Sequence, residues 1–177
     1  VHMNTQDKLV GKTITVIDKY GYQNLSLRKL TATLGLTTGA FYKHFKSKDA
    51  LYEKVAIELS RNFIDKISLP DNATAQERLL IIAKNFCQYV DQHSNLAEFL
   101  FFNPTTLKAF STKRSKYDFL NKMKVLVNEL NPKKNVSNQE LFIQIWSFIQ
   151  GYAALVNNKI VEYDEDLVKG TLDEFLQ

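Results

Sequence analysis

Residues 25–52 read LSLRKLTATLGLTTGAFYKHFKSKDALY, and their spacing predicts two short helices at a tight turn, followed by the start of a third. The Ser26 hydroxyl suits an N-cap, because it can accept from the free backbone N–H groups of the turn that follows. Leu27, Leu30 and Leu34 recur at helical spacing as one apolar face, which leaves Arg28, Lys29 and Thr31 to point elsewhere. Gly35 tolerates the left-handed backbone that ends a helix, and Leu36 can tuck back onto the core. Thr37 or Thr38 can cap a second helix through Phe45, with Phe41 and Phe45 four residues apart on its buried side. The result is helix, glycine turn, helix.

The other side of the second helix carries Thr37, Thr38, Gly39, Ala40, Tyr42, Lys43 and His44. Hydroxyls and a short cationic face suit base edges and phosphates, and Gly39 and Ala40 let the backbone come close to a groove floor. Ser47 reads as the N-cap of a longer helix with Lys48 in its first turn, where a cation works against the helix dipole unless an anion lies nearby. A DNA phosphate would resolve that conflict. Short amphipathic helices joined at glycine occur in many all-α proteins. The combination of turn, polar helix start, Tyr-Lys-His triplet and Lys48 within one short span is what points to DNA.

The run LRKLTATLGLTTGAFYKHFKSKDAL resembles the DNA-binding signature of the TetR (tetracycline-repressor-like) family of transcriptional regulators, over roughly the first third of the chain. The resemblance implies that Thr37, Thr38, Ala40, Tyr42 and Lys43 approach bases or nearby phosphates. It also implies that Tyr42, His44 and Lys48 anchor the phosphate backbone and that Arg28 reaches in from the preceding helix. Leu27 departs from the pattern, since many relatives place a phosphate-contacting hydroxyl there, and Gly39 offers no side chain where relatives sometimes use one.

Charge and length agree with a DNA-binding module joined to a second unit. Of the 177 residues, 1–54 hold nine Lys/Arg against four Asp/Glu, giving +5, and 55–177 hold fourteen against fifteen, giving −1. Unspecific attraction to phosphate would come from the first part and weaken with salt. The expected division is a helix-turn-helix DNA-binding domain at 1–50 and a helical regulatory and dimerisation domain at 51–177. Cys87 is the sole cysteine, which excludes an internal disulfide and a cysteine-rich zinc site. With Ile81, Ile82, Phe86 and Val90 around it, Cys87 reads as a small core residue. No signal peptide is visible, and a cytoplasmic protein is expected; Val1 and His2, ahead of Met3, read as a cloning remnant.

The rest reads as helix after helix, giving an all-α fold. Residues 7–20 place Leu9, Val10, Thr13, Val16, Ile17 and Tyr20 on one face and stop at Gly21. A helix at 48–67 carries Leu51, Val55, Leu59, Phe63 and Ile67 and should join the two domains, ahead of a linker at 70–74. Further helices are expected at 75–92, 95–111, 113–130, 138–158 and 164–176, with Pro104 kinking or breaking the second of these.

Residues 141–156, LFIQIWSFIQGYAALV, are apolar on nearly every side and need cover all round. They are too short and too interrupted by Gln144, Ser147 and Gln150 to span a membrane. Gln144, Ser147, Gly151 and Ala154 form a stripe of mostly small side chains that another helix could approach. With Val168, Leu172 and Phe175 of the last helix they are expected to form a homodimer face. The alternative is that both helices simply close the monomer core.

Aromatics are dense at 86–119, including Phe110, and Trp146 and Tyr152 follow. The candidate lining of a pocket for an apolar or flat small-molecule effector is Tyr89, Phe102, Tyr117 and Trp146, against the alternative that such rings are plain core. An enzyme is not expected. Asp91, His93 and Ser94 are too close in sequence to converge as a triad, and no phosphate loop, metal-ligand cluster or cofactor motif is present. The expected function is a repressor that binds a double-stranded palindromic operator as a dimer and is released by an effector. A helical protein-interaction module without DNA affinity is the alternative.

Overall fold

The computed structural model describes residues 4–104 and 115–177, which include no β-strand. Phe110, the end of the helix expected at 95–111 and the start of the one expected at 113–130 lie outside them. Helix α1 spans Thr5–Tyr20, with the Asn4 side chain accepting from the Asp7 N–H at 2.8 Å. It buries Leu9, Val10, Thr13 and Ile17; Tyr20, expected on that face, is exposed. Gly21 ends it at φ 79°, a left-handed conformation that a side chain strains.

Helices α2 (Leu27–Thr33) and α3 (Thr38–Tyr42) follow, capped by Ser26 and Thr37. Between them the N–H of Leu36 donates to the Thr31 carbonyl (2.9 Å) and that of Gly35 to the Ala32 carbonyl (3.1 Å), with Gly35 at φ 66°. Those paired bonds close the end of α2 and fix the angle at which the chain enters α3. Thr31 corrects the sequence reading. It is buried, its hydroxyl donating to Leu27 and Arg28 carbonyls of its own helix.

Helix α4 (Lys48–Asp65) runs unbroken through the boundary expected at residue 50 and buries Leu51, Val55, Leu59 and Phe63. In the second half, α5 (Ala75–Gln92) packs along α8 (Asn138–Asn157), and α7 (Asp118–Leu130) bridges α4 and α8. Thr74 and Ser137 begin α5 and α8 with reciprocal capping boxes to Glu77 and Glu140. These bonds hold both carboxyls below their usual pKa. Helix α9 (Glu165–Phe175) lies on α5 and α8.

Between α5 and the undescribed residues, α6 (Ser94–Ala97) passes into a π-helical turn, Glu98–Phe102, which stops at Asn103 ahead of Pro104. No pattern in the sequence announced that wider turn. It aims Phe101 at the interior, where Phe63, Phe86, Phe119 and Trp146 meet it at centroid distances of 5.4, 4.9, 5.3 and 5.8 Å. Cys87 is buried, and the loss of hydration pushes its thiol up to about 12, which keeps it protonated and unreactive.

Candidate nucleic-acid interface

The three-helix head is built around Phe41, which is fully buried and stacks on Phe45 at 5.6 Å. Burying Phe41 and Phe45 turns the opposite side of α3 outward. Thr37, Thr38, Gly39, Tyr42, Lys43 and His44 are exposed and Ala40 is half-buried. Tyr42 is 55% exposed, its ring edge-on to Phe41 at 5.2 Å, so the phenol stands out from the surface on a fixed base. The Thr37 hydroxyl accepts from the Ala40 N–H (3.1 Å) and keeps its own proton for an acceptor outside the protein.

The second helix is shorter than the sequence suggested. It ends at Tyr42 with Lys43 as its C-cap, and the Phe45 N–H still reaches the Phe41 carbonyl at 3.0 Å. Lys43 and His44 therefore sit on a turn at the helix end. Arg28 is exposed on α2, and Lys29 and Lys46, not singled out by the sequence, add exposed cations to the head. This is a polar, cationic, carboxylate-poor surface of the kind that phosphate and base edges require.

Lys48 needs a correction of argument. Its ammonium donates to the Leu25 carbonyl at 2.7 Å and lies 5.4 Å from the Tyr52 ring centroid, so the conflict with the α4 dipole is met inside the protein without a phosphate. Tyr52 in turn donates to the Tyr22 carbonyl at 2.5 Å, and burial pushes its phenol up to about 12. Tyr22, Tyr52 and Phe99 of the π-turn form a ring triad with centroids 6.2, 5.6 and 5.3 Å apart. The triad ties the head to the C-terminal half. A polar seam reinforces it: Asn95 donates to the Asp18 carbonyl (2.8 Å), and the His93 Nδ1 lies 3.3 Å from the Asp18 carboxylate. His93 thus joins α5 to α1.

The other expected site residues divide. Trp146 is buried in the aromatic core, and Phe102 and Tyr117 are half-buried. Tyr89 alone of the four lines a cleft at the junction of α1, α4, α5 and α6. On α8, Gln144, Ser147 and Gly151 are exposed and Ala154 half-buried, beside the exposed Ile143 and Leu155. On α9, Val168 and Leu172 are 1% and 3% exposed within a single chain, so they close the monomer core and are not free to meet a partner; Phe175 packs on Phe148 at 6.1 Å. The apolar side chain that α9 exposes is Leu167. Among the described residues no cluster of His, Cys, Asp and Glu could hold a metal, and no helix is long and apolar enough to cross a membrane.

Residues 9–55 match the profile of the bacterial regulatory proteins of the tetR family. The HTH-type transcriptional repressor Rv1474c of Mycobacterium tuberculosis is 31% identical over 61 residues, 30% of this chain and 33% of that protein, so the match spans about a third of that relative's length. Whole-chain likeness of fold is broader. A TetR-family regulator from Vibrio parahaemolyticus superposes with a TM-score of 0.72 at 17% identity, covering 98% of this chain and 97% of that one. BioQ in complex with its double-stranded DNA operator gives a TM-score of 0.71 at 15% identity, over 98% and 99%. The N-terminal module of the tetR family is thus matched at 9–55, and the fold of TetR-family structures extends over the whole chain.

Proposed function

We propose that the protein is a transcriptional repressor that binds a palindromic operator as a homodimer and leaves it when a small molecule occupies the regulatory half. The observation that carries this reading is the outward face of α3: Thr38 and Tyr42 stand exposed on a helix whose other side is anchored by Phe41, with the exposed Lys43 at its C-cap. In this reading Tyr42, His44 and Arg28 meet phosphates, while Thr37, Thr38, Ala40 and Lys43 approach base edges. Lys48 acts one step removed, by fixing Leu25 at the start of α2. The operator-bound BioQ structure, of the same fold, supports a DNA-facing α3.

The dimer is supported by glycines that the monomer does not need. A Cβ on Gly151 or Gly170 would meet nothing within 4 Å, yet glycine inside a helix costs about 0.5–1 kcal/mol against alanine. Both lie on exposed stretches of α8 and α9, near Leu155 and Leu167. Close approach of a second α8–α9 pair explains why those positions stay small. Two heads in one dimer suit half-sites about 34–36 Å apart, or a multiple of that.

Salt titration of DNA affinity tests the reading. The wild type should lose affinity steeply with salt. Lys43→Ala should weaken binding and lower the salt slope by about 1, and Tyr42→Ala should weaken binding with the fold retained by circular dichroism. Unchanged DNA binding in both variants would overturn α3 as the DNA-facing element, and no binding to any duplex at low salt would favour a protein-interaction module.

A further inference from the structure

Among the described residues, five large rings crowd the middle of the C-terminal half. Phe63, Phe86, Phe101, Phe119 and Trp146 fill it ring against ring. One of several surface clefts, of about 320 Å³, opens where that half meets the head, between α1, α4, α5 and α6, within the size range of small-molecule sites. Its apolar floor is Ile14, Leu59, Phe63 and Leu96. Its polar wall is Asn62 and Lys66 of α4 with Gln88, Tyr89, Gln92 and His93 at the end of α5.

The chemistry of that wall is selective. Asn62, Lys66, Gln88 and Gln92 make no side-chain hydrogen bond or ion pair among the described residues. Three carboxamides therefore offer both donors and acceptors, and one ammonium offers charge. No carboxylate lines the cleft. Asp18 lies behind the wall, committed to His93. A cation would find no counter-ion here, whereas a neutral or singly anionic group would find one ammonium and several amides. Tyr89 supplies a ring face held in place by Phe63 at 5.1 Å and His93 at 5.4 Å.

We propose that this cleft binds a flat one-ring aromatic carboxylate or carboxamide, with the ring on the apolar floor beside Tyr89, its polar edge on Asn62, Gln88 and Gln92, and a carboxylate, where present, on Lys66. Because Ile14 belongs to α1, a ligand there touches the DNA-binding head and the linking helix α4 together and holds them in one relative orientation. That consequence rests on the DNA-binding reading; the binding itself does not.

The test is a ¹H–¹⁵N NMR titration of the full chain with benzoate, nicotinate and nicotinamide, following the side-chain amides of Asn62, Asn85, Gln88 and Gln92. Saturable shifts in this set are expected. Asn62→Leu and Gln88→Leu, at exposed positions that leave the fold intact, should each weaken binding about tenfold. Lys66→Met should weaken nicotinate and leave nicotinamide unaffected. No saturable shift with any of the three probes, or shifts that survive both leucine variants, overturns the site. The same probes added to a DNA anisotropy titration read the coupling. Unchanged DNA affinity under saturating probe overturns the coupling, while failure to bind DNA with and without probe counts against the repressor reading and leaves the NMR result standing.

Discussion

The Tyr52 hydroxyl reaches the Tyr22 carbonyl at 2.5 Å while its ring sits between Lys48, Tyr22 and Phe99. Tyr52→Phe removes the hydrogen bond and keeps the ring, so it should cost about 1 kcal/mol in urea unfolding. Alkaline pH offers a second check. A phenol raised from 10.0 to about 12, chiefly by burial, contributes stability that is present below pH 10 and is lost as pH rises through 12. The phenylalanine variant should therefore lose less stability than wild type between pH 10 and 12. The contacts of Tyr52 with Tyr22 and Phe99 could not be read from the sequence, because those two partners lie 30 or more residues away. Lys48 was misjudged for the same reason: its place in the first turn was legible, and the Leu25 carbonyl that satisfies it was not. The exposed residues of α3 were legible because Phe41 and Phe45 fix which side faces in.

Helix boundaries set by local chemistry were the readable ones. Ser26, Thr37 and Ser47 cap their helices through bonds three residues long, and Gly35 closes α2 at φ 66°. Gly35→Ala should cost about 1–2 kcal/mol, because an L-side chain resists that backbone, and thermal melts would show it. Gly151→Ala is the contrast. With nothing within 4 Å of the added carbon, monomer stability should hold or rise by about 0.5–1 kcal/mol. Thr74→Ala breaks the capping box of α5 and should cost about 1 kcal/mol by the same measurement. The π-turn at Glu98–Phe102 was illegible because distant packing holds it, Phe101 in the core and the Gln150 amide on the Phe101 carbonyl at 3.0 Å. Val168 and Leu172 show the limit of an amphipathic pattern, which says that a face is buried and leaves open whether the cover is the same chain or another.

At the scale of the whole molecule, the head is joined to the C-terminal half by a shared helix, a ring triad and a polar seam, with a cleft beside them. α4 carries Lys48 and Tyr52 at one end, and at the other Arg61 and Asp65 pair with Asp118 and Lys122 of α7 at 3.4 and 3.3 Å. In the proposed reading, a ligand bound in the C-terminal half and DNA bound at α3 would bias one another by linkage through these packed elements. Gly151→Arg should place a charge on the proposed dimer face and yield a folded monomer by sedimentation, with DNA affinity lost alongside the dimer. The central claim is that two copies of α3 are presented together to DNA, and selection of bound sequences from a random duplex pool tests it most directly. Enrichment of a twofold-symmetric site whose half-site centres lie about 34–36 Å apart or a multiple of that is expected, and its loss in Tyr42→Ala. A single unpaired half-site, or the same enrichment from the Tyr42→Ala chain, would contradict it.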